Sequence, residues 1–482
     1  MYDTIVIGND LSSLVAAVTS VRHERKTILI SDGGVPDIYM TSGYNFNVTP
    51  VPLTGLGPDQ IFSSFLSEIG ISFENDINVH LLNPAIRIFL PNHRIELYND
   101  INEFLIELQR EFPCKESANQ AFCIDLLRMK SLTDIWMKKN LDAISERRGR
   151  YISFIQCFPE LLKEGLLFLK ILLKIKNNKE LQILFKVILQ LLLNFREDKN
   201  AFFPSLLPYI LSLSNRGFYY LRGGKILLMD AIKKTFISYG GEIIEKGSVS
   251  GIISCEKIRV SVDGYGDISE VEGKNLIVST ISDAIPLILC DKNMRRLKHR
   301  IKKYQTRYYA FTLHMGILNK GIPEKMMPYS AIFIEEKDVC IDNTIFVELS
   351  LPEDIGRAPN DKRALSATVL LKDSPCLLSN LELKSTAEII IRYLKSVLPF
   401  LEENLDYLDV DDSIELSKKY HNILNKTYRI KTGAILDTIF FPKRTSLRNI
   451  YLVDGISQTG LGHEGDIISG RNAAFSIITK EE

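Results

Sequence analysis

Two short apolar runs, Thr4–Ile7 and Thr27–Ile30, read as strands buried on both faces of a parallel sheet. Between them, Leu14, Val15, Ala17 and Val18 mark the packed side of a helix over Leu11–Val21. Strand, turn, helix and strand within so short a span make a βαβ unit. From Ile101 to Leu213 the period changes to that of amphipathic helices, at Ile101–Phe112, Leu161–Lys174 and Glu180–Phe195. A helix over Ile226–Tyr239 should stop at Gly240-Gly241. Strand-like runs follow at Glu242–Ile244, Val249–Ile253, Lys257–Val262 and Asn275–Ser279, with further alternation across 305–352 and 364–372. Leu381–Leu398 predicts a helix ended by Pro399. Ile450–Val453 is the last strand, and a helix over Ile467–Ile478 closes the pattern.

The glycines between these elements carry the candidate chemistry. Gly8-Asn9-Asp10-Leu11-Ser12-Ser13 follows the first strand, where a GxGxxG fingerprint would place glycines at 8, 10 and 13. In that fingerprint the first glycine makes the tight turn, the second admits a pyrophosphate and the third lets helix and strand close up. Ser13 adds little bulk, but Asp10 adds a Cβ and a carboxylate where two phosphates would sit. One unit-charge repulsion at about 4 Å and an effective dielectric of about 20 is worth about 4 kcal/mol. That is roughly a thousandfold in affinity. Three arrangements answer the conflict. Asp10 turns away to cap Ser12 or Ser13, the diphosphate is held from elsewhere, or Asp10 replaces the ligand's charge altogether.

The second such region is Asp454-Gly455-Ile456-Ser457-Gln458-Thr459-Gly460-Leu461-Gly462-His463-Glu464-Gly465, before a small-residue helix containing Ser469-Gly470-Arg471-Asn472-Ala473-Ala474. Its glycines admit a bulky polar ligand to the backbone, and its amides, with the following helix end, suit a phosphate or a flavin ring. The plain alternative is a glycine-rich turn before a tightly packed helix.

Composition narrows the class without naming it. Across 482 residues, 59 Lys and Arg balance 59 Asp and Glu, so no basic field invites nucleic acid. Seven scattered cysteines contain no CxxC pair, which suits a reducing, cytoplasmic setting and no cysteine metal site. No uncharged apolar stretch reaches membrane-spanning length, and no signal peptide precedes Thr4. Lys163, Lys170, Lys174, Lys176, Lys179 and Lys186 give the later helices basic faces, read either as solvated or as a peripheral membrane contact. His314 reads as a core histidine, and Trp136 and Met326-Met327 as packing residues.

The C-terminal block resembles the flavin motif of the phytoene desaturase and amine oxidase superfamily of FAD-dependent oxidoreductases. Gly43–Pro50, Leu90–Asp100 with Phe104-Leu105 and Phe112-Pro113, and Gly217–Gly224 with Asp230, Gly240-Gly241 and Val249 are similar to further segments of that family, in its order. The resemblance implies an α/β fold: an interrupted Rossmann-like FAD-binding domain (1–75, 216–292 and 432–482) carrying an inserted mixed-sheet and helical substrate domain (76–215 and 293–431). It implies FAD contacts at Gly8, Asp10, Leu11, Ser12, Ser13, Asp32, Gly223, Gly224, Val249, Asp454, Gly455, Gly462, Gly465 and Asp466. Asp32 enters as the ribose-binding acid through a one-residue insertion, since the plain register falls on Ser31. The implied reaction moves hydride from a substrate C–H to the flavin, on a small hydrophobic, isoprenoid-like substrate. Rab escort and GDP-dissociation inhibitor proteins, also similar, imply the alternative: a flavin-free protein of this fold that binds lipid or a protein partner.

Overall fold

The computed structural model describes residues 1–32, 38–48, 51–58, 60–72, 76–113, 217–245, 247–254, 257–263, 270–279, 305–334, 341–420, 427–429, 449–453 and 462–481, with a scatter of positions in 120–187 and 282–287. The predicted helices Leu161–Lys174 and Glu180–Phe195 lie largely outside these residues, as does Trp136.

In chain order the elements are β1 (Tyr2–Ile7), α1 (Leu11–Arg22), β2 (Thr27–Ile30), β3 (Ile38–Thr41), β4 (Tyr44–Asn47), β5 (Leu53–Thr54), α2 (Ile61–Glu68), β6 (Val79–Leu81), β7 (Ile86–Phe89), β8 (Arg94–Leu97) and α3 (Ile101–Glu111). Next come β9 (Phe218–Leu221), α4 (Lys225–Ser238), β10 (Glu242–Ile244), β11 (Ser248–Ser254), β12 (Ile258–Asp263), β13 (Glu270–Ser279), β14 (Gln305–Leu318), β15 (Tyr329–Phe333), β16 (Ile341–Leu349) and β17 (Lys362–Leu371). The last are α5 (Asn380–Val397), β18 (Leu405–Leu408), α6 (Val410–Lys419), β19 (Thr427–Arg429), β20 (Ile450–Val453) and α7 (Gly462–Glu481).

One sheet runs β10-β2-β1-β13-β12-β11, with β20 also on β13. β10, β2, β1, β13 and β20 are mutually parallel, while β11 and β12 form an antiparallel ribbon at one edge. The run β1, α1, β2 is thus the βαβ unit expected from the apolar pattern. Strand alternation divides its side chains between two cores. Ile5, Ile7, Ile28 and Ile30 face the β11–β12 side, whereas Val6 and Leu29 join the helices. Helix α1 is buried from Leu11 through Val21, sandwiched between sheet and α7. Small residues make that sandwich close: a Cβ on Gly470 of α7 would lie 2.4 Å from the Ser12 carbonyl oxygen.

The second sheet, β18-β14-β17-β16-β15-β7-β8 with β19 on β14, is antiparallel except where β15 meets β7. Leu383, Ala387, Ile390 and Leu394 of α5 pack on one of its faces. A small sheet, β5-β9-β6, is the third layer. No helix among the described residues is long and apolar enough to cross a membrane.

Candidate functional site

The parallel strands bring their carboxyl ends to one edge. α1 leaves that edge after β1, and α7 follows β20 from it. α4 precedes β10, which lies parallel to β2, so α4 also starts there. Three helix N-termini therefore border the crevice outside the carboxyl ends of the strands, the place where open α/β sheets take ligands. Each presents the partial positive charge of a helix start, which suits an anion.

At the β1–α1 turn Gly8 has φ +146°, and a Cβ there would meet Ser13 Oγ at 2.3 Å and Ser279 Cβ at 2.8 Å. The first position of the fingerprint thus requires glycine, and Ser13 is tolerated because it packs into the space Gly8 leaves. Asp10 is the N-cap of α1. Its Oδ1 accepts from the Ser13 amide at 2.7 Å and from Ser12 Oγ at 2.9 Å, while Ser279 Oγ donates to Oδ2. Of the three arrangements open in the sequence, this is the carboxylate folded onto its own helix, tied as well to the end of β13. Burial pushes the Asp10 carboxyl upward from the ordinary carboxylate range, the bonds from Ser279 and Ser13 pull it back, and the Asp466 charge adds a further push.

Asp32 follows β2 as a buried acid and accepts from Ser282 Oγ. Ser31 is held toward β10 instead, donating to the Ile244 carbonyl and accepting from the Gly247 amide. The two neighbours differ in their bonds: Ser31 is engaged through its backbone beside β10, and Asp32 through its carboxylate with Ser282. Val249 pairs with Val262 beside an irregularity in β11 and packs against the sheet's isoleucine core.

Asp454 and Gly455 lie outside the described residues. Gly462 and Gly465, expected in a loop, instead begin α7, five residues before the predicted start at Ile467. An acid in the first turn, Glu464, favours a helix end there. Glu464 is fully buried and accepts from Thr54 Oγ1 at 3.3 Å; a Cβ on Gly55 would come within 2.3 Å of its Oε1. His463, also inside the helix, sits 3.7 Å from Asp466. These contacts bind α7 to β5, which pairs with β9, and β9 runs into Gly223-Gly224 at the start of α4.

Gly223 and Gly224 have φ of +76° and +84°. Beneath them lies a buried polar network that no sequence motif announced. The Gly223 amide donates to both oxygens of Asp354, at 2.9 and 3.1 Å, and Tyr220 OH donates to the same carboxylate at 2.7 Å. Arg357 and Glu348, each 1% exposed, pair at 3.1 Å. Asn47 Nδ2 donates to Glu348 at 2.7 Å, and Asn47 Oδ1 accepts from the Lys225 amide at 3.2 Å. His314 is buried nearby, bonded to Ser366 at 3.1 Å and held neutral, its pKa lowered to about 3 by burial and by Arg357. It is a core histidine, as its strand context implied. Met326 and Met327 are likewise buried.

No protein-family model matches the chain, and no curated protein matches it significantly. Solved structures do match in fold. An oxidoreductase from Methanosarcina mazei is 15% identical with a TM-score of 0.58, over 97% of this chain and 98% of that one. Putrescine oxidase bound to putrescine is 14% identical with a TM-score of 0.60, over 99% of each chain. Cyclohexylamine oxidase from Brevibacterium oxydans is 10% identical with a TM-score of 0.57, over 100% of this chain and 99% of that one. The two named for a substrate are amine oxidases rather than desaturases. At such identities the likeness establishes architecture: the chain has the fold of the FAD-dependent amine oxidases, a Rossmann-like domain joined to a substrate domain.

Proposed function

We propose that the chain is a FAD-dependent oxidoreductase of the amine oxidase type, with the domain division expected from its sequence. The observation that carries this reading is the rim itself. Three helix N-termini converge on it, and Gly8 makes the turn between β1 and α1 at φ +146°, close against Ser13 and Ser279. Asn9 Oδ1, buried in the same turn without a partner among the described residues, is an acceptor suited to a ligand hydroxyl.

In this reading Gly8 with the Leu11 and Ser12 amides would hold the diphosphate, Asp32 the ribose and Val249 the adenine. Gly223, Gly224, Asp454, Gly455, Gly462, Gly465 and Asp466 would border the ribityl chain and flavin. Bound FAD would supply the hydride acceptor for a substrate C–H; the protein supplies position and electrostatics. His314, enclosed in the core and bonded to Ser366, is not placed to act as a base. A hydrophobic substrate, the cytoplasmic setting and peripheral membrane contact belong to the same proposal.

The test is reconstitution. Purified protein incubated with FAD and desalted should show the visible absorbance of an oxidised flavin, and a colourless product would overturn the reading. One observation favours a second reading, a flavin-free protein that binds lipid or a protein partner: Asp10 already supplies the anion that the end of α1 would otherwise take from a ligand. A colourless protein that binds prenyl lipid would establish it.

A further inference from the structure

The start of α4 is held from outside the parallel sheet, by the 354–357 connection and by Asn47 of β4. Gly223 turns at φ +76° directly over the 354–357 segment, where a Cβ on Gly356 would lie 2.6 Å from Gly223 Cα. Gly224 is equally confined: a Cβ there would meet Asn47 Oδ1 at 2.9 Å and Arg357 Cδ at 3.1 Å. Asp354 grips the Gly223 amide with both oxygens, and Arg357 Nε donates to the Asn45 carbonyl at 2.6 Å. Behind them, Glu348 on β16 joins Arg357, Asn47 and Tyr329 of β15. A carboxylate bonded to backbone N–H at a helix start is a charge-assisted contact, shorter and about twice as strong as a neutral one. In a site closed to water it holds one geometry.

We infer that Asp354 is a positioning residue: through the Gly223 amide, and backed by the Arg357–Glu348 pair, it sets the turn between β9 and α4 at the crevice rim. The consequence for chemistry rests on the flavin reading above, in which Gly223-Gly224 border the cofactor. Asp354 touches no reacting atom itself.

The test uses Asp354→Asn, which keeps shape and one acceptor oxygen, and Asp354→Ala, which keeps neither. Hydrogen exchange followed by mass spectrometry on the full chain reports the turn whether or not FAD binds. Exchange across residues 217–228 should rise about tenfold in Asp354→Asn, the scale of one weakened charge-assisted hydrogen bond, while α1 and α5 keep their protection. Unchanged protection at 217–228, or an equal rise everywhere, would overturn the inference. If Asp354→Ala fails to fold, the Asn variant alone decides. In parallel, the visible spectrum and reduction potential of added FAD are compared between wild type and Asp354→Asn. Wild type that binds no FAD sinks the flavin reading and leaves the exchange result to judge Asp354. Wild type that binds FAD with a spectrum and potential unmoved by Asp354→Asn overturns its role in placing the turn for chemistry.

Discussion

Asp10 offers a direct test of the crevice. Asp10→Asn keeps a cap, because Asn serves at the N-cap about as well as Asp, and removes only the charge. Asp10→Gly also removes the acceptor used by Ser12, Ser13 and Ser279. A full unit charge about 4 Å from a phosphate, at an effective dielectric of about 20, would oppose binding by about 4 kcal/mol. Here the carboxylate is folded back and three donors share its charge, so about a third of that, or roughly tenfold in affinity, is the expected remainder. Burial raises the Asp10 pKa, so its ionised form is the one disfavoured, and the folded protein keeps this proton to higher pH than the unfolded chain. Repulsion is therefore absent below the unfolded carboxylate range and complete above the raised value. Asp466, near the start of α7, is the charged group that acts on Asp10, and it pushes in the same direction as burial. Calorimetric titration with FAD across pH should show Asp10→Asn about tenfold tighter than wild type above the raised Asp10 pKa, with the two converging on acidification. Equal affinities at every pH would show that the carboxylate does not face the phosphates; weaker binding by the Asn variant would make it a ligand-holding acceptor.

Other consequences can be measured on stability. Gly470→Ala sets a Cβ against the Ser12 carbonyl and should separate α7 from α1 at a cost of about 1–3 kcal/mol, read by urea unfolding. Arg357→Met strands Glu348 in the core and should cost about 3–5 kcal/mol, whereas adding Glu348→Gln to the same chain should recover a good part of it. Lys362 and then Tyr44 hold the Asp406 carboxyl below its usual range. Its stabilisation is thus present above the unfolded carboxylate range and lost as pH falls through the lowered value. Asp406→Asn should flatten the acid limb of a melting-temperature profile, and an unchanged limb would show the contact contributes nothing.

What the sequence disclosed follows from how far each interaction reaches along the chain. β2 and β20 lie where their apolar runs placed them, and α1 and α5 fall within a residue of the expected ends, because burial on a sheet or a core is written in local periodicity. The start of α7 was not legible: Gly462 and Gly465 read as part of a ligand loop, yet they begin the helix. Nor was the network beneath Gly223. Asp354 stands 131 residues from the amide it holds, and Ser279 stands 269 from Asp10. Ser279 ended a predicted strand and so was available as a rim residue, whereas Asp354 and Arg357 sit in a connection with no motif. A capping carboxylate was foreseeable at Asp10 because an N-cap bond reaches only three residues forward.

Asp10 and Asp354 solve one electrostatic problem in two ways. A helix that starts at a ligand crevice carries partial positive charge and unpaired amides, which are costly to leave buried and empty. α1 meets that cost from within, through its own N-cap; the turn leading into α4 receives a carboxylate from the connection between β16 and β17. The local solution keeps the β1–α1 turn anchored within its own sheet, with Ser279 of β13 as a second hold on Asp10, so the loss of glycine at position 10 need not destabilise the fold. The remote solution has a different effect: it makes the geometry of Gly223-Gly224 depend on the connection between β16 and β17, so whatever shifts that connection also shifts the rim.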